Sequence, residues 1–311
     1  MRGLATRDSK LDNEICNLAD EMISKWSVKE IPLTIPVKFV ALERTVARII
    51  RLSFQDWSTW SLPMVAREVS YVIHSGQQAG RDINNYIDEQ TTREKQKEIQ
   101  LRDYLADLYA TYVMGSAYVY ASVYLRFEPI HSIRANGDHI PDTFRAEAIF
   151  NMLEWMSKKK AYGFEEVIKK LRADWQNFLR LAGSPEHIEQ QEKDQIIAWV
   201  KKLAQLVYDN DVGGQMYSVN QWHRARELKK NFEKTRSFNQ ESTDDVRNIL
   251  NAAWLVRGDT EDHIDDIDIA ATVAIREIQG KKISAPAKKP QSEFTYQGEQ
   301  KQRKEPSSWS N

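Results

Sequence analysis

Apolar residues recur every three or four positions along most of this chain. Residues that interrupt helices are sparse, with 12 Gly and 9 Pro in 311 residues. The pattern therefore predicts a mainly α-helical fold with, at most, a small sheet near residues 30–60. Ile15, Leu18, Met22 and Ile23 form a stripe on a first helix, with Asp8-Ser9 as its candidate cap. Ile31-Pro-Leu-Thr-Ile-Pro36 is expected to be extended, because each proline disfavours helix at the residue before it. Helices are predicted over about 39–52 and 62–76, with a turn at Trp57–Trp60 between them. Residues 82–100 are strongly polar and fit a solvated helix leading into an apolar one from Asp103 to Phe127. After an irregular stretch, 128–142, helical periodicity returns over about 143–160, 164–181, 186–208, 218–235, 243–256 and 261–279. There is no internal repeat.

Composition narrows the class. A hydrophobic fraction of 41% with 29% charged residues is that of a globular protein, and 311 residues allow one large core or two modest ones. The net charge of −1 gives no global attraction to nucleic acid or to an anionic membrane. Cys16 is alone, which excludes an internal disulfide and a cysteine-built metal site. With no apolar run at the start, cytoplasmic residence is the expectation. Residues 281–311 differ: seven Lys/Arg against three Glu make them +4 and leave −5 on residues 1–280. Rich in Pro, Lys, Gln and Ser, this tail is expected to be disordered.

One stretch tests the soluble reading. Leu108 to Leu125 is 18 residues without a charge, long enough to span a bilayer. Its five tyrosines are spread along the segment instead of gathered at its ends, and Asp107 and Arg126 bracket it. Small residues at Ala106, Ala110, Gly115, Ala117 and Ala121 suit close helix packing, so a buried core helix is expected and no membrane span.

The candidate chemistry lies upstream. Arg67-Glu68-Val69-Ser70-Tyr71 follows Trp60-x-x-Pro63-x-x-Ala66. It occupies the frame of an H-E-x-x-H motif, whose two histidines share a helix face at i and i+4. Asp103-Tyr-Leu-Ala106-Asp107-Leu-Tyr-Ala110 then resembles the E-x-x-A-D-x-x-A pattern that carries a third ligand and a residue that holds a ligand histidine. His139-Ile-Pro141-Asp-Thr-Phe-Arg145 resembles an H-P-x-x-x-R segment. Over residues 30–160 the chain thus resembles a zincin-like, gluzincin-type zinc metallopeptidase. That resemblance implies a helical zincin-like core and a bacterial protein. It places Arg67 and Tyr71 at the histidine positions, Asp103 at the third ligand and Glu68 at the catalytic base. Asp107, His139 and Arg145 fall in the surrounding shell.

The departures change the expected function. Arginine stays protonated and has no lone pair for zinc, and tyrosine binds only after losing a proton of ordinary pKa about 10. Without zinc, no water is acidified for Glu68. No cofactor is therefore expected, and the guanidinium of Arg67 is expected to replace the metal charge and pair with Asp103. Zinc enters only under the alternative of an active peptidase with unusual ligands, for which His74 and Asp103 are the rescue candidates and His131 and His139 the other candidate histidines. A helical adaptor unrelated to zincins is a further alternative.

Other motifs add little. Gly213-Gly214 lacks the Lys-Ser/Thr of a phosphate loop, and Met114-Gly115-Ser116-Ala117 lies in an apolar helix, unlike a nucleophile elbow. Six acids between Asp259 and Asp268 around His263 lack the glycine and glutamate of a calcium loop and fit a solvated helix start. Trp222-His-Arg-Ala-Arg226 with Lys229, Lys230, Lys234 and Arg236 fits a solvated basic face. The expectation is a pseudopeptidase that binds another protein as scaffold, sensor or regulator. It is organised as a degenerate zincin-like core (1–160), a C-terminal helical region packed on it (161–280) and the basic tail (281–311).

Overall fold

The computed structural model describes residues 18–20, 22–23, 33–36, 49–52, 59–74, 81–91, 94–131, 140–184, 188–210, 215–241, 244–260 and 262–278. Among these the fold is mainly helical. Two short strands, β1 (Leu33–Pro36) and β2 (Ile49–Leu52), pair in parallel with Leu33 opposite Ile49 and Pro36 opposite Leu52. The extended expectation for 31–36 holds within β1. The helix expected over 39–52 does not hold at its end: β2 is a strand. Ile49-Ile50 is β-branched, and an extended neighbour of equal length lets it pair, so tertiary pairing decides a run too short for periodicity to classify. The tail, Cys16, Asp8-Ser9, Ile15, His139 and the Gly213-Gly214 pair lie outside the described residues.

A 3-10 helix, Thr59–Met64, opens the central part and leads into α1 (Val65–His74). The helices α2 (Arg81–Thr91) and α3 (Lys95–Met114) follow. The polar stretch 82–100 is therefore not one solvated helix. It breaks before Lys95, and α2 keeps Ile83, Ile87 and Thr91 buried at i, i+4 and i+8, a narrow apolar stripe that the polar composition hides.

The expected apolar helix 103–127 is also divided. It stops at Gly115, resumes as α4 (Ser116–Ala121) and ends in a π-helical turn, Ser122–Arg126. The uncharged stretch is nevertheless interior: Tyr109, Tyr112, Tyr118 and Tyr120 are all buried. No helix among the described residues is long and apolar enough to cross a membrane.

Gly115 is required where it stands. Its φ is +62° and ψ −141°, and a Cβ there would come within 2.5 Å of Tyr217 Cδ1. Tyr217 is fully buried and donates its backbone N–H to Tyr112 O at 2.9 Å, so it cannot retreat cheaply. The break is bridged by Asn251, whose Nδ2 donates to Met114 O (2.8 Å) while its Oδ1 accepts from Ser116 Oγ (2.7 Å) and Ala117 N (2.9 Å). Gly115→Ala is accordingly expected to cost roughly 2 kcal/mol, from backbone strain plus overlap. Urea unfolding measures it, and a loss below about 0.5 kcal/mol would show that α3 and α4 need no such break.

The remaining helices are α5 (Asp142–Lys160), α6 (Glu165–Leu181), α7 (Gln190–Asp209), α8 (Val219–Thr235), α9 (Val246–Asp259) and α10 (Ile264–Ile278). Their boundaries lie close to those read from periodicity. Ser218 caps α8 in a reciprocal capping box with Gln221, and Asp245 caps α9. One contiguous core runs from Leu18 to Ile275, with Trp222 and Trp254 among its largest buried side chains.

Candidate functional site: a buried arginine–carboxylate network

The candidate site lies where α1 packs on α3 and α3 on α5. Val65, Ala66 and Val69 turn one face of α1 into the core, and Ala106 and Ala110 on α3 are completely buried, leaving room for close helix approach. On α3, Asp103 and Asp107 stand one turn apart on one face. Arg67 enters between them. Its Nη2 donates to Asp103 Oδ1 at 2.8 Å and its Nε to Asp107 Oδ1 at 2.9 Å, while Nη1 reaches Glu68 Oε1 at 3.1 Å. Tyr71, one turn after Arg67, donates its hydroxyl to Asp103 Oδ1 at 2.5 Å. The structure thus brings Arg67, Glu68, Tyr71, Asp103 and Asp107 together.

Arg145 on α5 completes the centre. It forks onto Asp107, with Nε to Oδ2 at 2.7 Å and Nη2 to Oδ1 at 3.0 Å, and its Nη1 donates to Asp142 at 3.1 Å. In the motif pattern Asp107 and Arg145 fall in the surrounding shell. Geometrically Asp107 is the hub, accepting from Arg67, from Arg145 and from Tyr118 (2.5 Å). Two participants were missed. Tyr118 lies beyond the Gly115 break, and Arg126, 3.7 Å from Asp107, is delivered by the π-helical turn. A signal for both was present: a buried tyrosine must find a partner for its hydroxyl, and Arg126 is the charge that closes the uncharged stretch.

Arg67 and Arg145 are only 5% and 6% exposed and Asp103 and Asp107 2% and 0%, so two positive and two negative charges cancel inside the protein. Burial opposes ionisation of Asp107, but Arg145 and then Arg67 overcome it and hold the carboxyl well below its usual range. Burial likewise disfavours charge on Arg67, yet Tyr71 and the carboxylates of Asp107, Glu68 and Asp103 keep it firmly protonated. For Tyr71, burial raises the hydroxyl pKa far above normal, and Asp103 adds to this against the pull of Arg67. Asp107, Arg67 and Tyr71 therefore do not change protonation near neutral pH, which leaves them no proton to exchange with a substrate.

Zinc does not fit here. A tetrahedral site needs Asp103 and two neutral donors at about 2.0–2.2 Å from one point. Arg67 supplies a guanidinium at that place, and the Tyr71 hydroxyl keeps its proton and donates a hydrogen bond to Asp103. Among the described residues, no group of three His, Cys, Asp or Glu side chains is placed to hold a metal ion. His74, the rescue candidate, is buried with Nδ1 at 2.9 Å from Ser70 O and its ring edge-on to Tyr109. His131 ends the 3-10 helix Pro129–His131.

No family model, curated protein or solved structure matches this chain.

Proposed function

We propose that the protein is a catalytically inactive, metallopeptidase-like scaffold that acts by binding another protein, as sensor or regulator, in the bacterial cytoplasm. The observation that carries this is the seat of Arg67: its guanidinium holds Asp103 and Asp107 together at the place where the zincin resemblance puts the metal. In that resemblance the second acid of the helix holds a ligand histidine. Here Asp107 holds the arginine that stands in the histidine position, so a bound metal charge is replaced by a covalently attached one. With Asp107 held ionised, Arg67 held protonated and the Tyr71 hydroxyl held neutral, binding is what the surface can still do.

Metal content tests it. Protein purified without chelator is expected to hold far below one zinc per chain and to cleave no peptide substrate above background, with Glu68→Gln changing nothing. Stoichiometric zinc by elemental analysis, lost in Asp103→Ala, overturns the proposal in favour of an active peptidase. The ancestry has a separate test. Arg67→His with Tyr71→His restores two imidazoles at i and i+4 beside Asp103, and that folded variant is expected to take up zinc. A folded variant without zinc uptake would favour a helical adaptor unrelated to zincins.

A further inference from the structure

Arg257 stands in the last turn of α9, where a cation suits the negative end of the helix. Its guanidinium lies against two indoles. Cζ is 4.7 Å from the centre of the Trp60 ring and 4.8 Å from that of Trp254, and the two rings are 5.0 Å apart at 66°. The three groups form a nearly equilateral triangle, so the guanidinium rests in a notch between the rings. The walls of the notch are fixed. Trp60, on the 3-10 helix, and Trp254, on α9, are both buried, and Trp254 stacks on the buried Tyr120 at 5.9 Å. Arg257 is only half-buried, so solvent still reaches it.

What the notch does not supply is an acceptor. A guanidinium carries five N–H donors and no acceptor, and the indole faces meet its charge without taking its hydrogen bonds. Two polar groups act on it electrostatically, and both are engaged elsewhere. Asp268 accepts from Thr59 N at 3.0 Å and from Thr59 Oγ1, and Tyr124 donates its hydroxyl to Asp174 at 2.6 Å. Among the described residues no hydrogen bond and no ion pair reaches Arg257. By contrast Arg67, Arg145, Arg172, Arg224 and Arg247 each end on a carboxylate. Burial lowers the pKa of Arg257, with Asp268 and Tyr124 opposing, so its charge is incompletely met inside the protein.

We propose that Arg257 is an anchor for a carboxylate of a partner polypeptide, held side-on by two of its N–H groups. The notch fixes the guanidinium before a ligand arrives, so little side-chain freedom is lost on binding. Its planar fork matches the two oxygens of a carboxylate. A single negative charge is favoured over a phosphate dianion, because Asp268 stands beside the notch and acids outnumber bases over residues 1–280. The inference rests on the protein-binding part of the proposed function and not on the metallopeptidase resemblance.

Nitrogen-15 NMR of the full chain tests it, reading the Arg257 Nε–H and the Trp60 indole N–H as sodium acetate replaces sodium chloride at constant ionic strength. Both resonances are expected to shift and saturate, with half-saturation on the order of 10 mM, a weak affinity that suits so small a ligand. N-acetylglycine stands for a chain terminus and N-acetylglutamate α-amide for a side chain, and the tighter of the two identifies the source within the partner. Arg257→Lys keeps the charge, loses the fork and is expected to weaken acetate about tenfold. Arg257→Gln is expected to abolish the response of Trp60. Should that variant fold poorly, the wild-type and Arg257→Lys titrations decide. Zinc content does not enter this readout, so it can fail while the inactive-scaffold reading stands. No saturable shift, an equal response to chloride, tighter binding of phosphate than of acetate, or unchanged affinity in Arg257→Lys each overturns the proposal and leaves Arg257 as packing for the two indoles.

Discussion

Asp107→Asn is expected to destabilise the protein by roughly 3–5 kcal/mol, because it leaves two buried guanidiniums, Arg67 and Arg145, facing a neutral amide. Arg67→Ala is expected to cost a similar amount by stranding Asp103 and Asp107. The informative quantity is coupling. In an Asp103→Asn background Arg67→Ala should cost less, with a coupling energy of roughly 1–3 kcal/mol. The cost should not vanish, since Asp107 still faces the vacated position. Urea denaturation of the four proteins of each cycle measures this. Coupling within error of zero would mean that the side chains do not meet in solution, and with it would go the argument that Arg67 stands in for a metal. The acid limb of stability follows the same network. Asp107 has a depressed folded-state pKa against an ordinary value of 3.8, so its contribution is present above that value and drains away as pH falls below it.

The second large effect is a loss of stability between pH 6.5 and 4 that traces to His74. Burial lowers its pKa from 6.5 to about 4, with the nearby Arg102 adding to the shift and the Ser70 carbonyl opposing it. The unfolded chain therefore binds a proton in this window that the folded chain refuses. The neutral histidine's contribution is complete above pH 6.5 and is lost progressively as pH falls toward 4, by about 3 kcal/mol in total. Below pH 4 both states are protonated and the loss stops growing. Thermal unfolding in buffers across this range should show a falling melting temperature in the wild type and a much flatter profile in His74→Gln. Identical slopes in the two proteins would place His74 in contact with solvent.

The core of the candidate site was legible because it rests on spacing. Arg67 and Tyr71 at i and i+4, and Asp103 and Asp107 at i and i+4, must each share a helix face whatever the fold, and two such faces on helices that pack leave few ways for the charges to avoid each other. What spacing could not show was rank. Asp107 reads as an outer residue in the pattern, yet it is the hub, because Tyr118 and Arg145 arrive from α4 and α5. His139 could not be placed, lying outside the described residues.

By itself the sequence determined a mainly helical chain and the near-correct extents of α5 to α10, since amphipathic periodicity with caps such as Ser218 and Asp245 is a local property. It also determined that the uncharged stretch would be interior, because tyrosines and alanines spread along it suit packing against other helices. Tertiary structure alone decided the rest. Ile49–Leu52 became a strand because β1 offers it a parallel partner. The helix from Lys95 was broken at Gly115 because Tyr217 takes the space a Cβ would need and Asn251 bridges the severed ends. That break and the π-helical turn after it set the rotation of α4 and bring Tyr118 and Arg126 back to Asp107.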